Sequence, residues 1–167
     1  GEPLAMFPDG VVQRMRVASS SALAARYLAR EDASTMALFG SGWQAGSHVP
    51  AMCAVRPLKR VNVFSPTKAN REAFVKEIQP KVQAEVRAVD SPEAAIRDAD
   101  IIAATTNSLS RVVSADWVKP GLHLTCVRVP ELGDDTIRKF DRLVIHAHQH
   151  APLNFVAGYG EAGIAAH

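Results

Sequence analysis

Between Met36 and His146, short apolar runs alternate with helix-compatible stretches, and that alternation leaves few folds open. The strand-like runs are Met36–Phe39, Val61–Phe64, Val86–Val89, Asp100–Thr105, Leu122–Val127 and Arg142–His146. Between them lie helical patterns over about Trp43 to Val55, Lys68 to Gln79 and Asp134 to Phe140, and one opened by Ser91-Pro92-Glu93 with proline at its permitted first position. Pro80 stops the second of these; Pro50 lies inside the first and predicts a kink or early break there. Strands that alternate with helices join through right-handed crossovers, which predicts an α/β chain: a doubly wound parallel sheet of about six strands, covered on both faces.

The amino-terminal stretch reads differently. Leu4–Phe7, a Pro8-Asp9-Gly10 turn and Val11–Arg16 have the pattern of a hairpin. Two strands alone are marginal in water, so this hairpin needs a sheet that nothing later in the chain supplies. A helix is expected over Ser19 to Arg30, with its N-cap within Ser19-Ser20-Ser21. From His148 onward no element is convincing. The expected division is residues 1–16 from an incomplete second domain, 17–148 as the doubly wound domain, and 149–167 as the start of a segment cut short.

Where the first strand meets the first helix, the chain reads Gly40-Ser41-Gly42-Trp43-Gln44-Ala45-Gly46. Gly40 permits a tight turn, Gly42 lets a pyrophosphate approach the backbone, and Ala45 lets the helix pack close to the strand. Unpaired N–H groups at the helix start, backed by its dipole, suit an anionic diphosphate. A lone glycine turn is weak evidence, so its flanks matter. The second strand closes on Ser65, Thr67 and Lys68, with Arg71 one turn further and no acid in reach. Hydroxyls with two cations suit a ribose 2′-phosphate, which predicts NADP(H) over NAD(H); the alternative is an N-cap followed by a solvated face. Thr105, Thr106 and Asn107 follow the fourth strand, where they can bond the nicotinamide ribose or a pyrophosphate oxygen, or simply form a polar turn. Val127 ends the fifth strand within reach of a nicotinamide ring. Trp43 is expected to pack over this corner.

Other functions find less support. The 167 residues carry a formal charge of only +2, with basic residues scattered, which argues against a nucleic-acid or membrane surface. No apolar run is long enough to cross a bilayer. Cys53 and Cys126 lack metal-ligand spacing and read as small buried hydrophobes, which fits a reducing cytoplasm. His146, His148 and His150 alternate, but without an acidic or cysteine partner they read as a strand end, and no metal site is expected. His48 and His123 read as satisfied core or edge residues.

Taken together, these motifs resemble the ornithine cyclodeaminase/mu-crystallin family. The Gly40–Ala45 turn is similar to the family's Gly-x-Gly-x-Gln-Ala. Arg16-Val17-Ala18-Ser19 followed by Ser21-Ala22-Leu23-Ala24-Ala25-Arg26-Tyr27-Leu28 is similar to its Arg-Thr-Ala-Ala motif and the helix after it. Ala104–Ser108 and Trp117–His123 match two further motifs, and Gly1–Ala5 is family-like; the likeness extends to about His148. The resemblance implies a Rossmann-type nucleotide domain in a homodimer paired through a second domain, with Arg16 clamping a substrate carboxylate. It also implies hydride transfer between a nicotinamide and the carbon of a small amino acid or cyclic imine. Two departures matter. Val17 replaces the motif threonine, and Arg128-Val129-Pro130-Glu131-Leu132 stands where the cyclodeaminase has Gly-Gly-Asp, with no aspartate at the matching place. These favour an imine or amine oxidoreductase over an ornithine cyclodeaminase-like lyase. The rival reading is a non-catalytic, NADPH-dependent small-ligand-binding protein of mu-crystallin type. Either way this stretch is expected to hold cofactor but to turn over poorly by itself.

Overall fold

The computed structural model describes residues 1–7 and 10–144. Helix α1 (Val11–Leu28) leads into strand β1 (Thr35–Phe39), then α2 (Ala45–Val55), β2 (Arg60–Phe64) and α3 (Lys68–Ile78). Strand β3 (Glu85–Ala88), α4 (Pro92–Ile96), β4 (Ile101–Ala104), β5 (His123–Cys126) and α5 (Asp134–Ile137) follow. The strands form one sheet in the order β3-β2-β1-β4-β5, with every pairing parallel. Chain order reverses between β1 and β4, so the doubly wound fold has its switch point where those two strands end.

Alternation along the strands sorts the core into two layers. Met36, Leu38, Val61, Val63, Ile101 and Ala103 face α1, α2 and α3. Ala37, Phe39, Ile102 and Ala104 face α4 and the segments around Val113 and Leu132. Strands buried on both sides read as continuous apolar runs, which is why β1, β2 and β4 were legible. Small residues set the spacing on the first face: Ala22, Ala25 and Ala45 are buried together and let α1 lie close on α2. At the amino edge, the Asp100 carboxylate accepts from the backbone N–H of Ser34 (2.9 Å) and Thr35 (3.1 Å) and from Arg30 Nη2 (2.7 Å), tying β1 to β4.

Five expectations are corrected. No amino-terminal hairpin forms: residues 1–7 have no regular structure and Val11–Arg16 are the first turns of α1, while Pro8 and Asp9 lie outside the described residues. Val11 and Val12 favour strands locally, but no sheet edge is offered to them. The Arg14 N–H instead bonds the Gly10 carbonyl (2.8 Å), and Gln13 reaches Gln44 (2.8 Å), so contact with the α2 corner overrides propensity. Ser19, Ser20 and Ser21 are therefore helix interior, not N-cap, and the expected boundary at Arg16 falls inside a continuous helix. Pro50 breaks nothing; α2 runs on to Val55. Among the described residues the sheet has five strands: Arg142–Val144 are not in a strand, and Ile145 and His146 lie outside the described residues. Finally, α5 stops at Ile137, short of Phe140.

Candidate functional site at the switch point

Gly40 leaves β1 at φ +103°, a conformation that L side chains rarely adopt. Its N–H still donates to the Phe64 carbonyl of β2 (2.9 Å), and a Cβ on it would lie 2.9 Å from the Thr105 carbonyl. This glycine is fixed by neighbours on both sides. Gly42 is different: a Cβ there would meet nothing within 4 Å. The first glycine shapes the turn, and the second leaves open space before α2. The helix begins without a side-chain cap on Gln44 and without an acid in its first turn; the Gly46 and Ser47 N–H groups turn back to the Gly42 (3.4 Å) and Gln44 (3.2 Å) carbonyls, which leaves the helix dipole and the backbone N–H groups of the turn before it for an anion. Ala45 is fully buried, as close helix–sheet packing requires. A diphosphate therefore fits the residues present.

The residues around the turn hold one another. Ser41 Oγ donates to Ser65 Oγ (3.0 Å), linking the turn to the end of β2. Trp43 is half exposed, with the Arg14 guanidinium 4.1 Å from its ring centroid and Gly10 against its edge; it caps the α1–α2 junction. Arg16, on the exposed side of α1, makes no recorded contact with this corner; Arg14 is the arginine that reaches it. Thr105 is buried and donates from Oγ1 to the Phe39 carbonyl (3.0 Å). Asn107 is exposed, and its carbonyl accepts from Arg128 Nη1 (2.9 Å).

Beside Gly40 and Thr106 lies a cleft of about 380 Å³, walled by Phe39, Phe64, Pro66, Pro92, Val112 and Trp117. Phe39 stacks on Trp117 (centroids 5.6 Å apart, 16° between planes) and meets Phe64 edge-on (6.2 Å). A flat, mostly apolar wall next to an anion corner suits a heteroaromatic base joined to a phosphate. The sequence pattern gave no sign of it, because its walls come from four separate stretches.

At the end of β2 the cations behave differently from expectation. Lys68 and Thr67 are exposed, but Arg71 is buried: its Nη1 donates to the Ser65 carbonyl (3.0 Å) and its Nη2 to Asp90 (2.5 Å). Asp90 follows β3, so an acid does reach this corner from the neighbouring strand. The segment between β2 and α3 carries no trace of it, because Asp90 lies beyond the next strand in the chain.

Glu131 was also missed. It is fully buried, and its carboxylate accepts from Thr106 N–H (2.5 Å) and Oγ1 (2.7 Å), and from the N–H groups of Val127 and Arg128 (3.0 Å each). Its only trace in the sequence is its place in the altered segment after β5. Burial, helped by the Glu131 charge, pushes the Cys126 thiol up to about 12, and burial also raises Cys53; both are free. His48 donates from Nδ1 to the Gln44 carbonyl (2.8 Å) and accepts at Nε2 from Ser21 (3.2 Å); burial lowers its pKa despite the Gln44 bond. His123 departs from the satisfied residue expected, since its buried Nε2 has no partner among the described residues. Among those residues no cluster of three metal-ligating groups occurs, and no helix is long and apolar enough to cross a membrane. His146, His148 and His150 lie outside the described residues.

Residues 1–149 match the sequence profile of the ornithine cyclodeaminase/mu-crystallin family. Over 156 residues the chain is 32% identical to a Delta(1)-pyrroline-2-carboxylate reductase of Bacillus cereus, covering 90% of this chain and 48% of the relative. It is 31% identical over 127 residues to the ketimine reductase mu-crystallin of Rattus norvegicus, covering 76% and 39%. The solved Thermococcus litoralis Delta(1)-pyrroline-2-carboxylate reductase, in complex with NADH and L-proline, superposes with a TM-score of 0.78 at 30% identity, covering 83% of this chain and 44% of that one. The chain thus spans under half the length of each of these relatives. A profile match over most of its residues and a shared doubly wound sheet lead to one conclusion: the chain belongs to the ornithine cyclodeaminase/mu-crystallin family.

Proposed function

We propose that this chain is the nicotinamide-dinucleotide-holding part of an oxidoreductase that moves hydride between the cofactor and the carbon of a small amino acid or cyclic imine. The observation that carries the reading is the contrast between two glycines at the switch point. Gly40 is pinned at positive φ against Thr105, whereas Gly42 opens onto free space before an uncapped helix. A bound nicotinamide would supply or accept the hydride. The chain's own residues do the rest: helix α2 and the Gly42 backbone receive the diphosphate, and the Phe39–Trp117 wall receives the base. Thr105, Thr106 and Val127 then border the redox ring. Reduction of a cyclic imino acid is favoured over ornithine cyclodeamination, because pyrroline-2-carboxylate and ketimine reductases are among the relatives matched and the segment after β5 lacks the cyclodeaminase aspartate.

Arg16 is the substrate-carboxylate clamp in this proposal, on the strength of its motif; its exposed side chain is free to meet a substrate held by a second domain. NADP(H) over NAD(H) remains part of the proposal and rests on Ser65, Thr67 and Lys68. Arg71 contributes less than its position suggested, since the Ser65 carbonyl and Asp90 already occupy its guanidinium. A homodimer and a reducing cytoplasm complete the reading; the first comes from the family resemblance, the second from two unpaired cysteines. The test is fluorescence titration of this chain with NADPH and NADH, followed by cofactor oxidation in the full-length protein with Δ1-pyrroline-2-carboxylate and Δ1-piperideine-2-carboxylate. Failure to bind either dinucleotide overturns the assignment, tighter binding of NADH overturns the cofactor preference, and inertness towards both imines overturns the substrate class.

A further inference from the structure

The last ladder bonds of the central strands are Thr105 N–H to the Phe39 carbonyl (2.9 Å) and Val127 N–H to the Ala104 carbonyl (3.1 Å). Beyond them β4 and β5 part, and the next donors, the N–H groups of Thr106 and Arg128, have no strand to pair with. Buried backbone donors must find acceptors. Here one carboxylate supplies them, with Oε1 of Glu131 taking both donors of Thr106 and Oε2 taking Val127 and Arg128. None of the ion pairs among the described residues involves Glu131; its charge is held by dipoles, as in an anion-binding nest. Its backbone joins the same knot, because the Val112 N–H donates to the Glu131 carbonyl (3.0 Å). The Arg128 guanidinium closes the loop on Asn107.

This arrangement lies at the mouth, not in the core. Thr106 lines the cleft beside Gly40, and Val127 is the first residue past the end of β5. Resting on the proposed dinucleotide site, we infer that Glu131 is a positioning residue: it braces the ends of β4 and β5 so that Thr106 and Val127 are set for the nicotinamide half of the cofactor. The adenine base would lie on the β2 side of the same cleft, against Phe64 and Pro66, which receive no bond from the Glu131 carboxylate. The carboxylate cannot be replaced by an amide. In Glu131→Gln one acceptor becomes an NH2 group that faces at least one N–H donor, that of Thr106 or those of Val127 and Arg128, and buried donors left without acceptors are costly.

ADP-ribose and NADH separate this role from a general defect, because they share the adenosine diphosphate and differ by the nicotinamide. The affinities of both for wild-type chain, Glu131→Gln and Thr106→Val are measured by calorimetry. Glu131→Gln is expected to weaken NADH about tenfold, equivalent to about 1.4 kcal/mol, while ADP-ribose stays within about twofold. Thr106→Val removes one of the four bonds and also a group that borders the redox ring, so it should show a shift of the same kind; Glu131→Asp, which keeps the charge but falls short of both strand ends, decides the matter by the same pair of affinities if Glu131→Gln does not fold. Equal loss of both ligands, or loss of neither, overturns the positioning role and leaves the dinucleotide site intact. Wild-type chain that binds neither ligand overturns the site itself, and this inference with it.

Discussion

Two glycines two residues apart answer to different constraints, and substitution should separate them. Gly42→Val adds bulk where nothing lies within 4 Å, so thermal stability should change little while NADPH affinity falls tenfold or more. Gly40→Ala forces a Cβ against the Thr105 carbonyl at φ +103°, and should destabilise the chain by about 2 kcal/mol or more, read by denaturant titration. The motif made both glycines legible, but their division of labour needed the position of Thr105, sixty-five residues on. Arg71 teaches the converse. Its spacing from β2 suggested a phosphate ligand, yet Asp90 takes its guanidinium. Asp90→Asn should release Arg71 and raise the NADPH-to-NADH affinity ratio several-fold in paired titrations; an unchanged ratio would remove Arg71 from the discrimination altogether.

Elements were legible in proportion to how far they are buried. The three inner strands declared themselves as apolar runs, and Pro92 opens α4 as expected, with Ser91 Oγ accepting from the Ala94 N–H (3.1 Å). The first turns of α1 were misread because their local preference is for strand and their partner is an α2 corner thirty residues away. Strand β5 is the one whose stability should respond most to pH. Burial, with the Arg56 charge behind it, lowers His123 to about 4 from an ordinary 6.5. An unfolded chain binds a proton there between those values and the folded chain does not, so the stabilisation is complete above about pH 6.5 and is lost as the pH falls towards 4. His48, also lowered by burial, acts in the same direction. Denaturant titrations at pH 7 and pH 4.5 should differ by a few kcal/mol, and His123→Gln should remove much of that difference.

At the scale of the whole molecule, the described region holds a cofactor edge and only one candidate for the substrate, Arg16. It should therefore bind dinucleotide without oxidising or reducing any imino acid. Brisk imine reduction by residues 1–167 would show that no substrate contact beyond these residues is needed. Alternating apolar runs were enough to specify the parallel doubly wound sheet, and a glycine turn after the first of them was enough to locate the anion corner, because both signals are local and repeat at the period of the backbone. What only the tertiary structure decided is which polar groups stand free at that corner. Asp90 on Arg71, Glu131 on the ends of β4 and β5, and Phe39 on Trp117 are all pairings between stretches far apart in the chain. A buried charge or donor takes whichever partner the fold brings within 3 Å, and no spacing in the sequence records that choice.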